Sequence, residues 1–100
     1  MLDDVAFLVS KTITKNAYLQ EVEAETMRRI YCRRDSITRA EFYNAGQQGL
    51  SPDFKLTTAK IDYQYENEVL YNNERYGIYR TYEVGDYIEL YCEKKRGVQP

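Results

Sequence analysis

Residues 68–82, EVLYNNERYGIYRTY, set an Asn-Asn pair between two runs in which apolar and polar side chains alternate. Asparagine tolerates positive φ better than other non-glycine residues, and a tight hairpin turn needs two such positions in a row. Val69 and Tyr71 lead into Asn72-Asn73, and Tyr76, Ile78 and Tyr79 lead away. The segment is committed to an antiparallel hairpin, and the rest of the chain must offer strands for it to pair with.

Further strands are readable on both sides. Residues 4–14 are β-rich, with Val5, Phe7 and Val9 alternating against Ala6 and Leu8. A polar connection at 15–20 follows. Residues 21–37 begin ambiguously, since Glu21, Glu23 and Glu25 alternate as a solvated strand face does, while Ala24, Met27 and Arg28 also suit a helix. From Met27 onward Ile30 and Cys32 share one face and Tyr31 the other, which favours a strand. Residues 53–63 alternate Phe54, Leu56, Thr58 and Lys60 against Lys55, Thr57, Ala59 and Ile61. Tyr63 to Asn67 reads as a polar, aromatic connection. Gly85 marks a last turn at 83–86, a closing strand runs over 86–93, and 93–100 reads as a flexible tail.

One segment breaks the β pattern. Thr38 followed by Glu41 forms the T-x-x-E capping box of a helix start. The helix runs through Phe42, Tyr43 and Ala45 and fails near Gly46 or Gly49. Pro52 bars any continuation. Gly46 and its polar neighbours make this a weak helix, able to rearrange at low cost. About six short strands with one helix inserted after the second predict a mainly β domain over residues 1–100. A small six-stranded β-barrel or rolled sheet is expected, with a helix/loop insertion at 36–52. Closure would remove the exposed strand edges that endanger so short a chain.

Composition narrows the function classes. The chain has 11 tyrosines against 3 phenylalanines and no tryptophan. Tyrosine suits strands and half-buried contact surfaces, so most rings are expected over the sheet and a few against neighbouring proteins. With 16 acidic and 14 basic residues the formal charge is −2, unlike the basic footprint of a phosphate-gripping protein. Histidine is absent, which removes the commonest general base and metal ligand. No cofactor or metal is expected, and neither a G-x-S-x-G elbow nor a glycine-rich phosphate loop occurs. An enzyme is the weakest class. Cys32 and Cys92 are expected to be buried, reduced and inert. The acidic start MLDDVAFLVS is unlike a secretion signal, and no run reaches the length of a membrane span, so a soluble protein without membrane partners is expected.

Three stretches together resemble the head-closure (head–tail joining, or stopper) family of siphophage and prophage connector proteins. They are Ser36-Ile37-Thr38-Arg39-Ala40-Glu41-Phe42-Tyr43-Asn44-Ala45 leading to Gly49-Leu50-Ser51-Pro52, the hairpin from Val69 to Tyr82, and Ile88-Glu89-Leu90-Tyr91-Cys92. Their order follows the family's, and the resemblance covers nearly the whole chain. It implies a homo-oligomeric ring, a dodecamer by resemblance, of β-barrel subunits. The ring would lie at the virion neck, beneath a portal and adaptor and above a tail-completion or tail-tube protein. Its subunits would be made in the cytoplasm of the bacterial host. The segment after the second strand would point into the channel and help retain the packaged double-stranded DNA.

On that resemblance Glu41, Phe42, Tyr43, Gln47 and Gln48 are the channel-facing candidates. Phe42 and Tyr43 are equally open to a second reading, as anchors of the helix on the barrel. Arg28, Arg29, Arg33, Arg34, Glu21 and Glu23 are the subunit-interface candidates, the arginines making ion pairs within or between subunits. Two other readings remain: a tail-completion or tail-terminator protein, and a single-stranded nucleic-acid-binding barrel using tyrosines as stacking platforms.

Overall fold

A computed structural model describes residues 2–94 of the chain. It contains six strands, β1 (Asp4–Lys15), β2 (Glu21–Asp35), β3 (Pro52–Ala59), β4 (Glu68–Tyr71), β5 (Glu74–Val84) and β6 (Tyr87–Lys94), with one helix, α1 (Arg39–Gln47), between β2 and β3. All neighbouring strands are antiparallel and close into a barrel in the order β1-β2-β3-β6-β5-β4. The mainly β fold with one helix after the second strand is the architecture expected from the sequence.

Local chemistry accounts for the turns. Asn72 and Asn73 take φ of 52° and 65°, closing the β4–β5 hairpin directly, and Gly85 at φ 59° turns β5 into β6. Alternation assigns the core. Ala6, Leu8, Ile30, Cys32, Phe54, Leu56, Val69, Tyr71, Tyr76, Ile88, Leu90 and Cys92 form one buried cluster. Phe54 sits among the other rings, 5.4 Å from Tyr71 and 4.6 Å from Tyr76. Thr58, buried opposite Cys32, donates its hydroxyl to the Tyr31 carbonyl at 2.8 Å.

Three strand limits differ from the sequence reading. β3 stops at Ala59, not at residue 63: Lys60–Asp62 form a 3₁₀ turn, and the Lys60 N–H donates to the Asp86 carbonyl. The chain then runs from β3 to β4, strands that are not neighbours in the barrel. On the way it is held by Arg28, which donates to the Asp62 carbonyl at 2.6 Å and to Glu66 at 2.5 Å. β2 ends at Asp35 rather than 37. The tail assigned to 93–100 is strand at its start, since Glu93 and Lys94 pair with Gly77 and Tyr76; residues 95–100 lie outside the described ones.

The strand lengths show something the alternation pattern did not. β1 and β2 pair over their whole length, from Asp4↔Cys32 to Lys15↔Glu21, but β4 meets β1 only at Phe7–Val9 and β3 meets β2 only at Cys32–Asp35. Residues 10–26 therefore leave the barrel as a two-stranded arm. Its base is tied down by Arg75, which donates to Glu25 at 2.6 and 2.8 Å and to Glu68 at 3.2 Å, with Lys11 3.5 Å from Glu68. Its tip is braced by the Asn16 side chain, which accepts from the N–H groups of Tyr18 and Gln20, and it displays Tyr18 and Leu19 almost fully to solvent.

Candidate functional site

The insertion after β2 is built from its two caps inward. Thr38 is the N-cap, its hydroxyl accepting from the Glu41 N–H at 3.1 Å, as the capping box requires. At the other end Gly49, at φ 80°, donates to the Gly46 carbonyl while Leu50 donates to that of Ala45. This is the paired bonding of a Schellman stop, so Gly49 ends the helix and Gly46 stays inside it. Ser51 then donates its N–H to Glu93 at 3.1 Å, joining the segment to β6.

The reciprocal half of the capping box is missing, and this defines the site. Instead of turning back to Thr38, the Glu41 carboxylate reaches β5. Arg80 donates to it at 2.6 Å and 3.4 Å, and the Tyr79 hydroxyl at 2.9 Å. A bulge makes this possible: the β5–β6 register shifts between Ile78 and Arg80, so Tyr79 is an extra residue and both side chains address one carboxylate. The Arg80 guanidinium lies 4.1 Å from the Tyr91 ring centroid, and the Lys55 ammonium 5.6 Å from it. Glu89 accepts from both Lys55 and the Tyr91 hydroxyl. The hydrogen bonds from Arg80, outweighing partial burial, hold the Glu41 carboxyl below its ordinary value of 4.5. Burial, then the bond to Glu41, raises the Tyr79 phenol.

Five channel candidates thus divide into two groups. Glu41 is the latch of α1 on the barrel. Phe42 and Tyr43 are 59% and 66% exposed, and Gln47 and Gln48 are also exposed. The aromatic pair does not anchor the helix, since within α1 only Ala45 is buried. The helix is held chiefly by polar contacts and offers its rings to solvent.

The interface candidates are dispersed. Arg28 is committed to Glu66, whose carboxyl burial pushes up but hydrogen bonds from Arg28 and Gln64 hold below its usual range. Arg33 pairs with Asp35 at 3.0 Å, Arg34 stacks on Phe54 at 4.5 Å, and Arg29 on Tyr31 at 5.2 Å. Glu21 and Glu23 stand exposed on the arm, opposite Lys15 and Ile13. Of the eleven tyrosines, Tyr71, Tyr76 and Tyr91 are buried and Tyr63 and Tyr79 half-buried. The other six, Tyr18, Tyr31, Tyr43, Tyr65, Tyr82 and Tyr87, are exposed. Sequence reasoning missed Tyr79 and Arg80, because a bulge leaves no mark in an alternating run.

Cys32 and Cys92 are free and fully buried. Burial, with the charge of Asp4 adding, pushes the Cys32 thiol up to about 12, and burial raises that of Cys92 too. Neither reacts as a thiolate near neutral pH. A thiol reagent is expected to label neither in the native protein and both after denaturation; fast labelling of the native protein would contradict this placement. Among the described residues no group of three or more histidine, cysteine, aspartate or glutamate side chains could hold a metal, and no helix is long and apolar enough to cross a membrane. Comparison of the sequence with protein-family models and with curated proteins finds no match.

Proposed function

We propose that this chain is a non-enzymatic structural subunit of a phage head–tail connector, forming a ring that closes the filled head and receives the tail. The observation that carries this reading is the architecture of the insertion at 36–52: a closed barrel carries one short helix, latched by a single carboxylate. Exposed Phe42, Tyr43, Gln47 and Gln48 leave a surface free for a channel or a neighbouring ring. The sequence pattern from Ser36 to Pro52 and the β4–β5 hairpin support the same reading. In it, α1 is the mobile element facing packaged DNA, and the barrel is the ring's rigid body.

The placement of the arginines favours this over a nucleic-acid-binding barrel. Arg28, Arg33 and Arg80 are held by carboxylates, and Arg29 and Arg34 lie on different rings, so they do not line a single groove. Cryo-electron microscopy of particles from the lysate of a strain carrying this gene tests the proposal. The expected result is a ring of this chain between head and tail, with α1 toward the channel. A ring on free tails alone would move the assignment to tail completion. Absence from all particles would overturn it.

A further inference from the structure

Closing the barrel leaves parts of β1, β2 and β5 with a ladder partner on one side only, and the longest such edge lies on β2. β3 occupies β2 only at Cys32–Asp35, so residues 21–31 have a ladder partner on the β1 side alone. At about 3.4 Å per residue, these eleven positions span roughly 37 Å, along which every second residue turns its N–H and C=O away from β1. The Tyr31 carbonyl is taken by the Thr58 hydroxyl, and the positions before it have no ladder partner on that side. Proteins commonly blunt such an edge with proline, lysine or a bulge. Residues 21–31 contain no proline and no lysine, and their register with β1 is unbroken.

What the edge carries instead is a charge gradient. Glu21, Glu23 and Glu25 lie in its first half, Arg28 and Arg29 in its second. A strand acidic at one end and basic at the other complements itself when two copies run antiparallel. Side-chain parity puts Glu21, Glu23, Glu25, Met27, Arg29 and Tyr31 on one face. Two charges there are uncommitted: among the described residues neither Glu23 nor Arg29 forms an ion pair, and Arg29 only stacks on Tyr31.

Register narrows the choice further. Centred on Glu25, two antiparallel copies would set Glu25 against itself, like charge opposite like. Centred on Met27, they would set Glu23 against Tyr31, whose carbonyl the Thr58 hydroxyl already holds, and Arg29 against Glu25, already committed to Arg75. Centred on Thr26, residues 22–30 pair across the seam, short of Tyr31, and each Glu23 stands opposite Arg29 of the other copy. We propose that a second copy of this chain occupies this edge in that register, giving a two-fold dimer with a continuous sheet β1-β2-β2-β1. The pairing also turns the protruding arm from a two-stranded ribbon, marginal alone in water, into part of a four-stranded sheet. This inference does not rest on the connector reading; a ring with one face toward the head and one toward the tail has no two-fold axis relating its subunits, so the dimer is a state of the free chain.

Size-exclusion chromatography with light scattering on the purified full chain, over a wide concentration range, tests it. A dimer is expected. Glu23→Arg sets two guanidinium groups opposite each other at both ends of the seam, and Arg29→Glu sets two carboxylates there. Each is expected to weaken dimerisation about tenfold or more, since every unfavourable pair occurs twice. The double variant Glu23→Arg/Arg29→Glu restores both pairs and is expected to return the dissociation constant to within a few-fold of the original. Both side chains are exposed, so folding is retained, as far-UV circular dichroism checks. A chain that stays monomeric at every concentration overturns the proposal. So does a dimer indifferent to both single variants, or one whose losses the double variant does not recover.

Discussion

Phe54→Ala is expected to destabilise the barrel by about 3–5 kcal/mol, the usual cost of truncating a fully buried aromatic. Single domains hold only about 5–15 kcal/mol in total, so this variant should sit near the edge of folding. The ring is 1% exposed and reaches across the barrel from β3 to Tyr71 on β4 and Tyr76 on β5. Arg34 covers it at 4.5 Å. Alanine would leave a cavity bordered by two rings fixed in short strands, a wall with little freedom to collapse. It would also strip Arg34 of its stacking partner. Urea unfolding followed by far-UV circular dichroism gives the cost from the shift in midpoint. Phe42→Ala is the matched control: its ring is 59% exposed, so a change within about 0.5 kcal/mol is expected. Equal losses for the two would mean that the barrel does not close around Phe54.

The contrast between these two phenylalanines also marks how far the sequence could be read. Phe54 stands in strict alternation with Leu56 and Thr58, and alternation alone assigns it to the interior. Asn72-Asn73 and Thr38-x-x-Glu41 are likewise local signals, and the turn and the helix start lie where they point. Phe42 follows a cap, in a helix with little amphipathic pattern, and nothing within the segment says which side meets the barrel. That is decided by Glu41, whose partner lies 39 residues away at Arg80. The bulge that aims Arg80 inserts a residue without changing the composition of β5. The arm was illegible for a related reason. Residues 10–26 have the β-rich chemistry of any strand, and only the short reach of β4 and β3 leaves them paired with each other alone. Local chemistry shows which residues are strands; how far neighbouring strands extend shows which of them the barrel covers.

The latch predicts a second large effect, confined to α1. Glu41→Ala removes three hydrogen bonds at once and leaves Tyr79 and Arg80 without their carboxylate. Arg80 is 43% exposed and partly screened, so the loss is expected to be about 1–2 kcal/mol rather than that of a buried pair. No other side chain of α1 takes over the load, since only Ala45 is buried. The helix should therefore open locally while the barrel stays folded. Hydrogen exchange measured by NMR is expected to quicken by roughly 5- to 30-fold at α1 amides, the factor that 1–2 kcal/mol represents. Amides of β3 and β6 should keep their protection. Acid acts in the same direction. The groups facing Glu41 are Tyr79 and Arg80 from β5 and Lys55 from β3, and of these Arg80 does most to hold its carboxyl below 4.5 in the folded protein. The latch is therefore fully present above the ordinary carboxylate value and is lost as pH falls through the lower folded one. Glu41→Gln should abolish this acid-triggered opening while keeping an acceptor for the Tyr79 hydroxyl. If α1 opens with the same pH dependence in Glu41→Gln, another group senses the acid; if Glu41→Ala leaves exchange unchanged, Ala45 and the Schellman stop hold the helix without its carboxylate.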